Sequence, residues 1–420
     1  MFNPFKEMKS MGKDKSKLFS SWNKMYPESY DKNEVDPYTR LRIILLNGAE
    51  YESNWFMHQF SRHCPDNDLR REICLLRRNE QQQQKRLSDL KPIDESILET
   101  TIGYEQLAVD LTAGLAKMET NQYVKDTLDF ALLEDFDHLY RYSDLLEFDM
   151  GIHAEKLVGK YTEIMPARPT IAEHRHPCDD IRHYVDYSTA EVATKLNIGI
   201  ITAAEQQTMN YYMNIGCFYQ NDLGRQLYQE IAMVEEQHVS SYGSLMDTNV
   251  TWLENLLTHE YTECYLYYSC IQTESDPKIK KIWQQHFEEE LTHLSIVCGL
   301  LEKYEKKNWI EVFTCGGDFP KLLKLESNID YVRDILKNTV RNTCKKEEFV
   351  ALDSLPSDYE FFGYQKTVNS PISSVPSHKV IEHYLTSNSE DYRFEVDKNP
   401  IKELQNRSKD NTDLGRVQGK

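Results

Sequence analysis

Two copies of one residue pattern constrain this chain more than any other feature. In each copy, a lone glutamate is followed 30 residues later by the motif Glu-x-x-His. The residues are Glu205, Glu235, His238, Glu260, Glu290 and His293. Residues three positions apart lie on one helix face, so each motif directs a carboxylate and an imidazole to one point. Such a set is typical of a dinuclear metal site inside a four-helix bundle.

The same spacing recurs 155 residues earlier in the chain. Shifted back by that distance, the six positions fall on Glu50, Glu80, Gln83, Glu105, Asp135 and His138. Gln83 replaces a histidine and Asp135 replaces a glutamate, and the other four residue types are retained. We therefore predict two four-helix bundles in tandem, with a complete metal site in the second and a weaker or empty site in the first.

Apolar residues at three- and four-residue intervals predict an all-α fold. Proline-containing and polar segments separate the helical stretches, and the chain has no apolar run long enough for a transmembrane helix. Five regions are expected: a polar leader at 1–35, a first bundle at 36–155, a linker at 156–192, a second bundle at 193–306, and a partly irregular C-terminal tail at 307–420.

Charge and cysteine usage narrow the functional class. The formal net charge of −19 argues against nucleic acid or an anionic membrane as a partner. The N-terminal segment is basic but lacks the apolar core of a secretory signal. Nine cysteines are scattered without a C-x-x-C pair, which suits a reducing compartment. These features predict a cytoplasmic protein.

The ligand chemistry indicates which metals are expected. Four carboxylates balance the charge of two divalent cations, whereas the same carboxylates buried without metal are costly. Carboxylate and imidazole ligands together favour iron or manganese, and zinc also fits. We expect two iron ions, two manganese ions or a mixed pair in the second bundle, and a weaker metal site in the first.

This layout resembles the ferritin-like di-iron carboxylate family, nearest to its rubrerythrin-like members, over about 36–150 and 195–305. The resemblance implies that the four glutamates of the second copy bind and bridge two iron ions, and that its two histidines complete the coordination. Tyr212 and Tyr267 lie seven residues after a lone glutamate, where rubrerythrin-like chains often carry tyrosine. The implied activity is oxidation of bound iron(II) by O2 or H2O2, with an external electron donor and with homodimer formation left open.

The expected function is therefore that of a ferroxidase or peroxidase, and three alternatives stay open. A non-catalytic metal-binding or iron-handling protein would bind metal without turnover. A di-iron oxygenase acting on an organic substrate would need a pocket beside the metals. A structural protein with vestigial sites would bind no metal.

Two smaller features also have competing interpretations. The sequence around His174 and His176 is either a separate metal site or, more in keeping with a connection between bundles, a hydrogen-bonded loop. Glu263, Glu288 and Glu289 lie close in sequence to predicted ligands and are interpreted as surface charge. For Glu263, one turn from Glu260, a role in supporting the ligands stays open as the alternative.

Overall fold

The computed structural model describes residues 2–393, which are mainly helical. The predicted helical class is confirmed, with one small antiparallel sheet in addition. The first nine helices are α1 (Pro4–Met11), α2 (Trp22–Met25), α3 (Pro37–His63), α4 (Asn67–Ser88), α5 (Ile97–Met118), α6 (Gln122–Met150), α7 (Glu155–Val158), α8 (Thr170–Glu173) and α9 (Val192–Ile215). The later elements are α10 (Asp222–Ser244), α11 (Trp252–Thr273), α12 (Pro277–Glu305), α13 (Trp309–Val312), α14 (Ile329–Thr339), β1 (Asn342–Lys345), β2 (Glu348–Ala351), α15 (Glu360–Val368) and α16 (Pro376–Asn388). None of these helices carries an apolar stretch long enough to cross a membrane.

One compact unit, unit 1, is built from Met1–Glu95, Tyr184–Gln207 and Met246–Lys324. Its centre is a four-helix bundle in which α3 packs on α4 and α11, and α12 packs on α11 and α4. The first half of α9 lies against α3, where the side-chain amide of Gln207 donates a 3.0 Å hydrogen bond to the Ile44 carbonyl.

The other compact unit, unit 2, is built from Ser96–His183, Thr208–Leu245 and the described residues from Leu325 to Arg393. Here α6 is the central helix, and α5, α10, α14 and α16 all pack on it. Helix α16 also packs on α10, and the β1–β2 hairpin contributes contacts to α8. Unit 2 therefore combines a helical hairpin from the first half of the sequence with α10 and the C-terminal elements.

These units differ from the predicted tandem bundles at 36–155 and 193–306. The α3–α4 hairpin packs with α11 and α12, whereas α5, α6 and α10 belong to unit 2. The ligand pattern recurs at an offset of 55 residues as well as 155, since Glu105 follows Glu50 by that distance. Four equivalent hairpins can pair in more than one way, so the spacing leaves the choice of partner open.

The helix N-termini follow the 155-residue repeat closely. Side-chain oxygens that accept backbone N–H groups begin the helices at matching positions, which are Asp66 with Asn221, Ser96 with Thr251, and Asn121 with Asp276. Ser96 and Thr251 each form a reciprocal capping box with a glutamate three residues later. A cap of this kind stabilises its helix by about 1 kcal/mol, so the repeat extends to local helix signals.

The leader at 1–35 docks on unit 1. Helix α1 packs on α12. The Phe5 ring stacks on Trp309 with a centroid distance of 4.0 Å, and Lys13 Nζ lies 2.7 Å from Glu289 Oε1. Aromatic burial and a largely buried ion pair thus fix this polar segment on unit 1.

The expected linker and tail also contribute to the two units. Residues 156–183 belong to unit 2, where Arg168 and Arg175 are fully buried. The expected irregular extension contains α13 to α16 and the β hairpin, and α16 buries Val380, Ile381 and Tyr384. The part of the predicted tail after residue 393 lies outside the described residues.

Candidate metal centres

Three helices of unit 1, α4, α11 and α12, bring predicted ligands together in the bundle core. Glu80, Glu260, Glu290 and His293 each place a ligand atom within 4.8 Å of the others. His293 Nδ1 lies 2.7 Å from Glu80 Oε1, 3.2 Å from Glu290 Oε2 and 3.6 Å from Glu260 Oε2. All four side chains are buried. The arrangement joins residues that had been predicted to lie in different bundles.

A second group shares one residue with the first. Glu50, Glu80 and Glu263 also place ligand atoms within 4.8 Å of one another. Glu80 therefore belongs to both groups, as a carboxylate that bridges two neighbouring cations would. Glu263 had been interpreted as surface charge, but it is buried one turn after Glu260 on α11.

Glu289 is a second correction, while Glu288 is exposed as expected. The Glu289 side chain is buried and pairs with Lys13 of the leader. Charge alone did not show which side of α12 faces the docked leader.

Unit 1 offers carboxylate oxygens that the protein itself does not satisfy. Both oxygens of Glu260 and of Glu263 accept no hydrogen bond from any residue within 2–393. Burial, followed by repulsion from Glu80, raises the pKa of Glu50, Glu260 and Glu263 well above the usual range. Bound cations would relieve both the burial cost and the repulsion. The donor set therefore fits metal ions.

Gln83 does not act in the way a second histidine would. Its side-chain amide donates a short hydrogen bond to Glu290, and its Oε1 accepts none from the described residues. A neutral amide is a weaker ligand for iron than imidazole, whereas the nearby Glu263 supplies a further carboxylate. Unit 1 is thus rich in carboxylates and has one clustered histidine.

The orientation of His293 leaves one nitrogen for a metal. Its Nε2 lies 2.9 Å from Asn79 Oδ1. An amide oxygen only accepts hydrogen bonds, so Nε2 carries the proton and Nδ1 faces the carboxylates. Metal-binding histidines are usually held by a hydrogen bond of this kind to the other ring nitrogen.

Unit 2 contains a second buried cluster. His138 Nδ1 lies 3.0 Å from Glu235 Oε1 and 4.0 Å from Glu105 Oε2. His238 Nδ1 lies 3.1 Å from Asp135 Oδ1 and 3.2 Å from Glu235 Oε2. Glu235 is close to both histidines and occupies the shared position that Glu80 holds in unit 1. Both histidines of unit 2 therefore face carboxylates.

Glu134 fixes the outer nitrogen of His238. His238 Nε2 lies 2.6 Å from Glu134 Oε2, and Arg175 Nη1 donates to both Glu134 oxygens at 2.9 and 3.0 Å. Burial alone would raise the pKa of Glu134, but the charge of Arg175 and the His238 hydrogen bond lower it to about 2. Glu134 directly precedes Asp135, as Asn79 precedes Glu80, so the two units orient a histidine from equivalent positions.

The predicted set of six ligands in the second copy is divided between the units. Glu260, Glu290 and His293 belong to unit 1, whereas Glu235 and His238 belong to unit 2. Glu205 is buried on α9, in the Tyr184–Gln207 stretch of unit 1. Helix α9 continues unbroken past that stretch and carries Tyr212 two turns later. The sequence identified the ligand types but not their grouping.

Both singled-out tyrosines contact a predicted ligand. The Tyr212 hydroxyl donates a 2.5 Å hydrogen bond to Glu105, and the Tyr267 hydroxyl donates a short hydrogen bond to Glu50. Burial, reinforced by the neighbouring glutamate, raises the pKa of each phenol well above its usual range. Each tyrosine therefore holds its proton against a carboxylate.

A hydrogen-bonded chain extends from Glu50 towards the leader. Arg86 Nη1 lies 2.7 Å from His286 Nε2, and His286 Nδ1 lies 2.9 Å from the Tyr267 hydroxyl. Since Arg86 only donates, His286 carries its proton on Nδ1 and donates to Tyr267. Arg86 also donates to Ser20 at 3.1 Å. The chain points its donors towards Glu50.

The His174 and His176 loop is largely accounted for by hydrogen bonds. His174 Nε2 lies 3.1 Å from Glu230 Oε1, and the His174 carbonyl accepts a short hydrogen bond from Gln365. His176 accepts from the backbone N–H of Cys178 at 3.2 Å. His176 also lies in a partly exposed group with two carboxylates, Asp179 and Glu360.

A cavity of about 410 Å³ lies between α3, the first half of α9 and α11 in unit 1. We call it the α3–α9–α11 cavity. Its wall is mainly apolar and includes Phe56, Trp252, Ile200 and Leu266. Glu263 also lines it, so the cavity reaches the carboxylate group described above.

No protein-family model, curated protein or solved structure matches this chain. The ferritin-like resemblance therefore rests on the residue pattern and its spacing. The structure adds two buried clusters of carboxylates and histidines that can hold metal ions.

Proposed function

We propose that each unit binds a pair of iron or manganese ions and that the protein carries out redox chemistry with O2 or H2O2. The proposal rests on an arrangement of ligand residues that the two clusters share. Each has one carboxylate shared between two ligand groups, and each has a histidine whose outer nitrogen is fixed by a hydrogen bond. Carboxylate-rich sets with imidazole suit iron and manganese.

The residues that would hold metal follow from the clusters. In unit 1 they are Glu50, Glu80, Glu260, Glu263, Glu290 and His293. In unit 2 they are Glu105, Asp135, His138, Glu235 and His238, and Glu205 remains a predicted ligand. When bound, such ions supply electrons to dioxygen or peroxide and accept them again from an external donor.

The surrounding side chains place protons beside the ligands. Tyr267 holds its hydroxyl proton against Glu50, and His286 donates in turn to Tyr267. The chain thus directs its hydrogen-bond donors towards Glu50 of the unit 1 cluster. In unit 2, Tyr212 holds its proton against Glu105 in the same way. Reduction of dioxygen or peroxide consumes protons, and this arrangement places hydrogen-bond donors beside the ligands.

One observation favours a second candidate function. Glu263 lines the α3–α9–α11 cavity and belongs to the unit 1 ligand group. A pocket of roughly 300–1,000 Å³ is the usual size for a small organic ligand. A metal-dependent oxygenase acting on an organic substrate would need such a pocket beside its metals.

Rapid mixing of the iron(II)-loaded protein with O2 or H2O2 tests the redox proposal. We expect an absorbance change from iron oxidation that is faster than for free iron(II). The change is expected to be reduced in Glu80→Ala and in Glu235→Ala, which remove the two shared carboxylates. Glu72→Ala on the exposed side of α4 and Glu236→Ala on α10 are matched controls. Wild-type protein that binds iron but oxidises it no faster than free iron would contradict redox turnover and leave a passive metal-binding protein.

A further inference from the structure

The α3–α9–α11 cavity has an aromatic entrance. Trp55 and Trp252 line it and stay partly exposed, at 44% and 38%. The Trp252 ring stacks on His63 with a centroid distance of 5.3 Å and an interplanar angle of 13°. Phe56 lies 5.4 Å from Trp252 and 4.6 Å from His259 between ring centroids. Aromatic ring faces therefore lie at the entrance of the cavity, and the ring of a ligand packs well on such faces.

Small residues create the space behind this entrance. Ala49, Gly199 and Ala203 line the cavity from α3 and α9. A Cβ added at Gly199 would meet only Thr262 Oγ1, at 3.8 Å. The two helices thus leave room for a ligand where larger side chains would fill the gap.

The charges around the cavity do not suit an organic anion. Glu52 and Glu263 both line it, and Glu263 adjoins Glu50 and Glu80. Lys195 is the cation of the lining, but its ammonium donates to the Val312 carbonyl at 3.1 Å. An anion entering this mainly apolar cavity would lose its hydration, and the carboxyl groups of the lining offer it no positive partner.

We propose that the α3–α9–α11 cavity binds an apolar, ring-containing organic molecule without negative charge, with one end of the ligand against Glu263. The volume of about 410 Å³ is enough for a small ring-containing molecule. Binding itself follows from the cavity, whereas a role as substrate or effector of the metal centre rests on the proposed function. Trp252, Phe56 and His63 select rings, and the apolar wall disfavours anions.

Calorimetric titration of metal-free, full-length protein tests binding independently of metal chemistry. Indole is the probe, and indole-3-acetate is the anionic comparison with the same ring. We expect indole to bind and indole-3-acetate to bind at least about tenfold more weakly, a difference of about 1.4 kcal/mol. Absence of indole binding, or tighter binding of the anion, would overturn the proposal.

Two variants place the probe in the cavity. Gly199→Leu puts a side chain into the cavity and raises the helix propensity of α9, so it is expected to abolish indole binding without unfolding the chain. Gly299→Leu on the exposed side of α12, in the same unit, is the matched control and should keep it. Trp252→Ala should weaken indole binding by about tenfold. Unchanged affinity in Gly199→Leu would rule out this cavity as the binding site.

A spectroscopic measurement then separates the two proposals. In cobalt(II)-loaded protein, indole is expected to change the visible absorption of the metal, and Gly199→Leu is expected to remove that change. Indole binding that leaves the spectrum of bound cobalt unaltered would contradict the placement of the ligand against Glu263. Protein that binds indole but no cobalt would instead contradict the metal proposal and leave the cavity assignment standing.

Discussion

At the scale of single residues, the orientation of two histidines links the ligand pattern to its chemistry. Asn79 fixes Nε2 of His293, and Glu134 fixes Nε2 of His238. Both supporting residues directly precede the carboxylate of an opposing helix. In each case Nδ1 is directed at carboxylates, which is the geometry that a metal-binding imidazole requires.

Part of this site was readable from the sequence. The i, i+3 spacing identified Glu290 with His293 and Glu235 with His238 because both members of each pair lie on one helix face. The spacing did not predict that Glu263 is buried. A glutamate one turn from a ligand has the same spacing whether its side of the helix is buried or exposed. The spacing also missed Glu134, whose role depends on Arg175 arriving from a distant loop.

Glu134→Gln is expected to weaken metal binding in unit 2. The substitution keeps the size of the side chain but removes the charge that holds the His238 N–H, and loss of such a partner typically costs 10- to 100-fold in metal affinity. Competition with a chelator for manganese(II), in a Glu80→Ala background that leaves the unit 2 cluster intact, measures the effect. Glu236→Gln is the control, and equal affinity in both variants would contradict the proposed role of Glu134.

At the scale of helices, local sequence signals were sufficient to predict the helices but not which helices pack together. The capping residues and apolar periodicity that define each helix recur at the 155-residue offset. The ligand spacing also fits an offset of 55 residues. The spacing therefore does not distinguish which helical hairpins pack together. The pairing of α3 with α11 depends instead on side chains that meet only in the folded chain, such as Thr39 with Glu274.

A double-mutant cycle tests this pairing. Arg42 on α3 lies 3.4 Å from Glu274, which follows α11, and both side chains are largely buried. We expect Arg42→Met and Glu274→Gln to be coupled by about 0.5–3 kcal/mol in urea denaturation. Arg42→Met with Glu254→Gln, at the other end of α11, should be additive. Additivity of the first pair would mean that α3 and α11 do not meet as described.

The docking of α16 on α10 predicts a defined pH dependence. Glu230 on α10 accepts hydrogen bonds from the backbone N–H and the hydroxyl of Ser377 at 2.7 and 2.8 Å. Burial opposes its ionisation, but the His174 hydrogen bond and the charges of His174 and Arg141 outweigh burial and lower the pKa of Glu230 from 4.5 to about 2. A lowered folded-state pKa stabilises the fold above the unfolded-state value, and this contribution is lost as the pH falls.

Glu230→Gln should therefore reduce the free energy of unfolding most above pH 4.5, with the difference from wild type shrinking as the pH falls towards 2. Chemical denaturation at a series of pH values measures that difference. Glu236→Gln, on the same helix and partly exposed, serves as the control. A difference that grows on acidification would have the wrong sign for this account.

At the scale of the whole molecule, the chain passes between two compact units more than once. Each unit buries one cluster of carboxylates and at least one histidine that faces them. These buried carboxylates contribute to the net charge of −19, and bound cations would offset part of it. Composition and periodicity predicted the helical class, whereas the division of ligands between the units required the folded structure.

The metal content of protein purified without oxygen tests the central claim most directly. Elemental analysis should find iron or manganese in the wild type. Glu80→Ala should lose the metal of unit 1, and Glu235→Ala should lose the metal of unit 2. The double variant should lose both. Glu72→Ala and Glu236→Ala should match the wild type. If the wild type contains no more iron or manganese than the double variant, the assignment of both clusters as metal centres is contradicted.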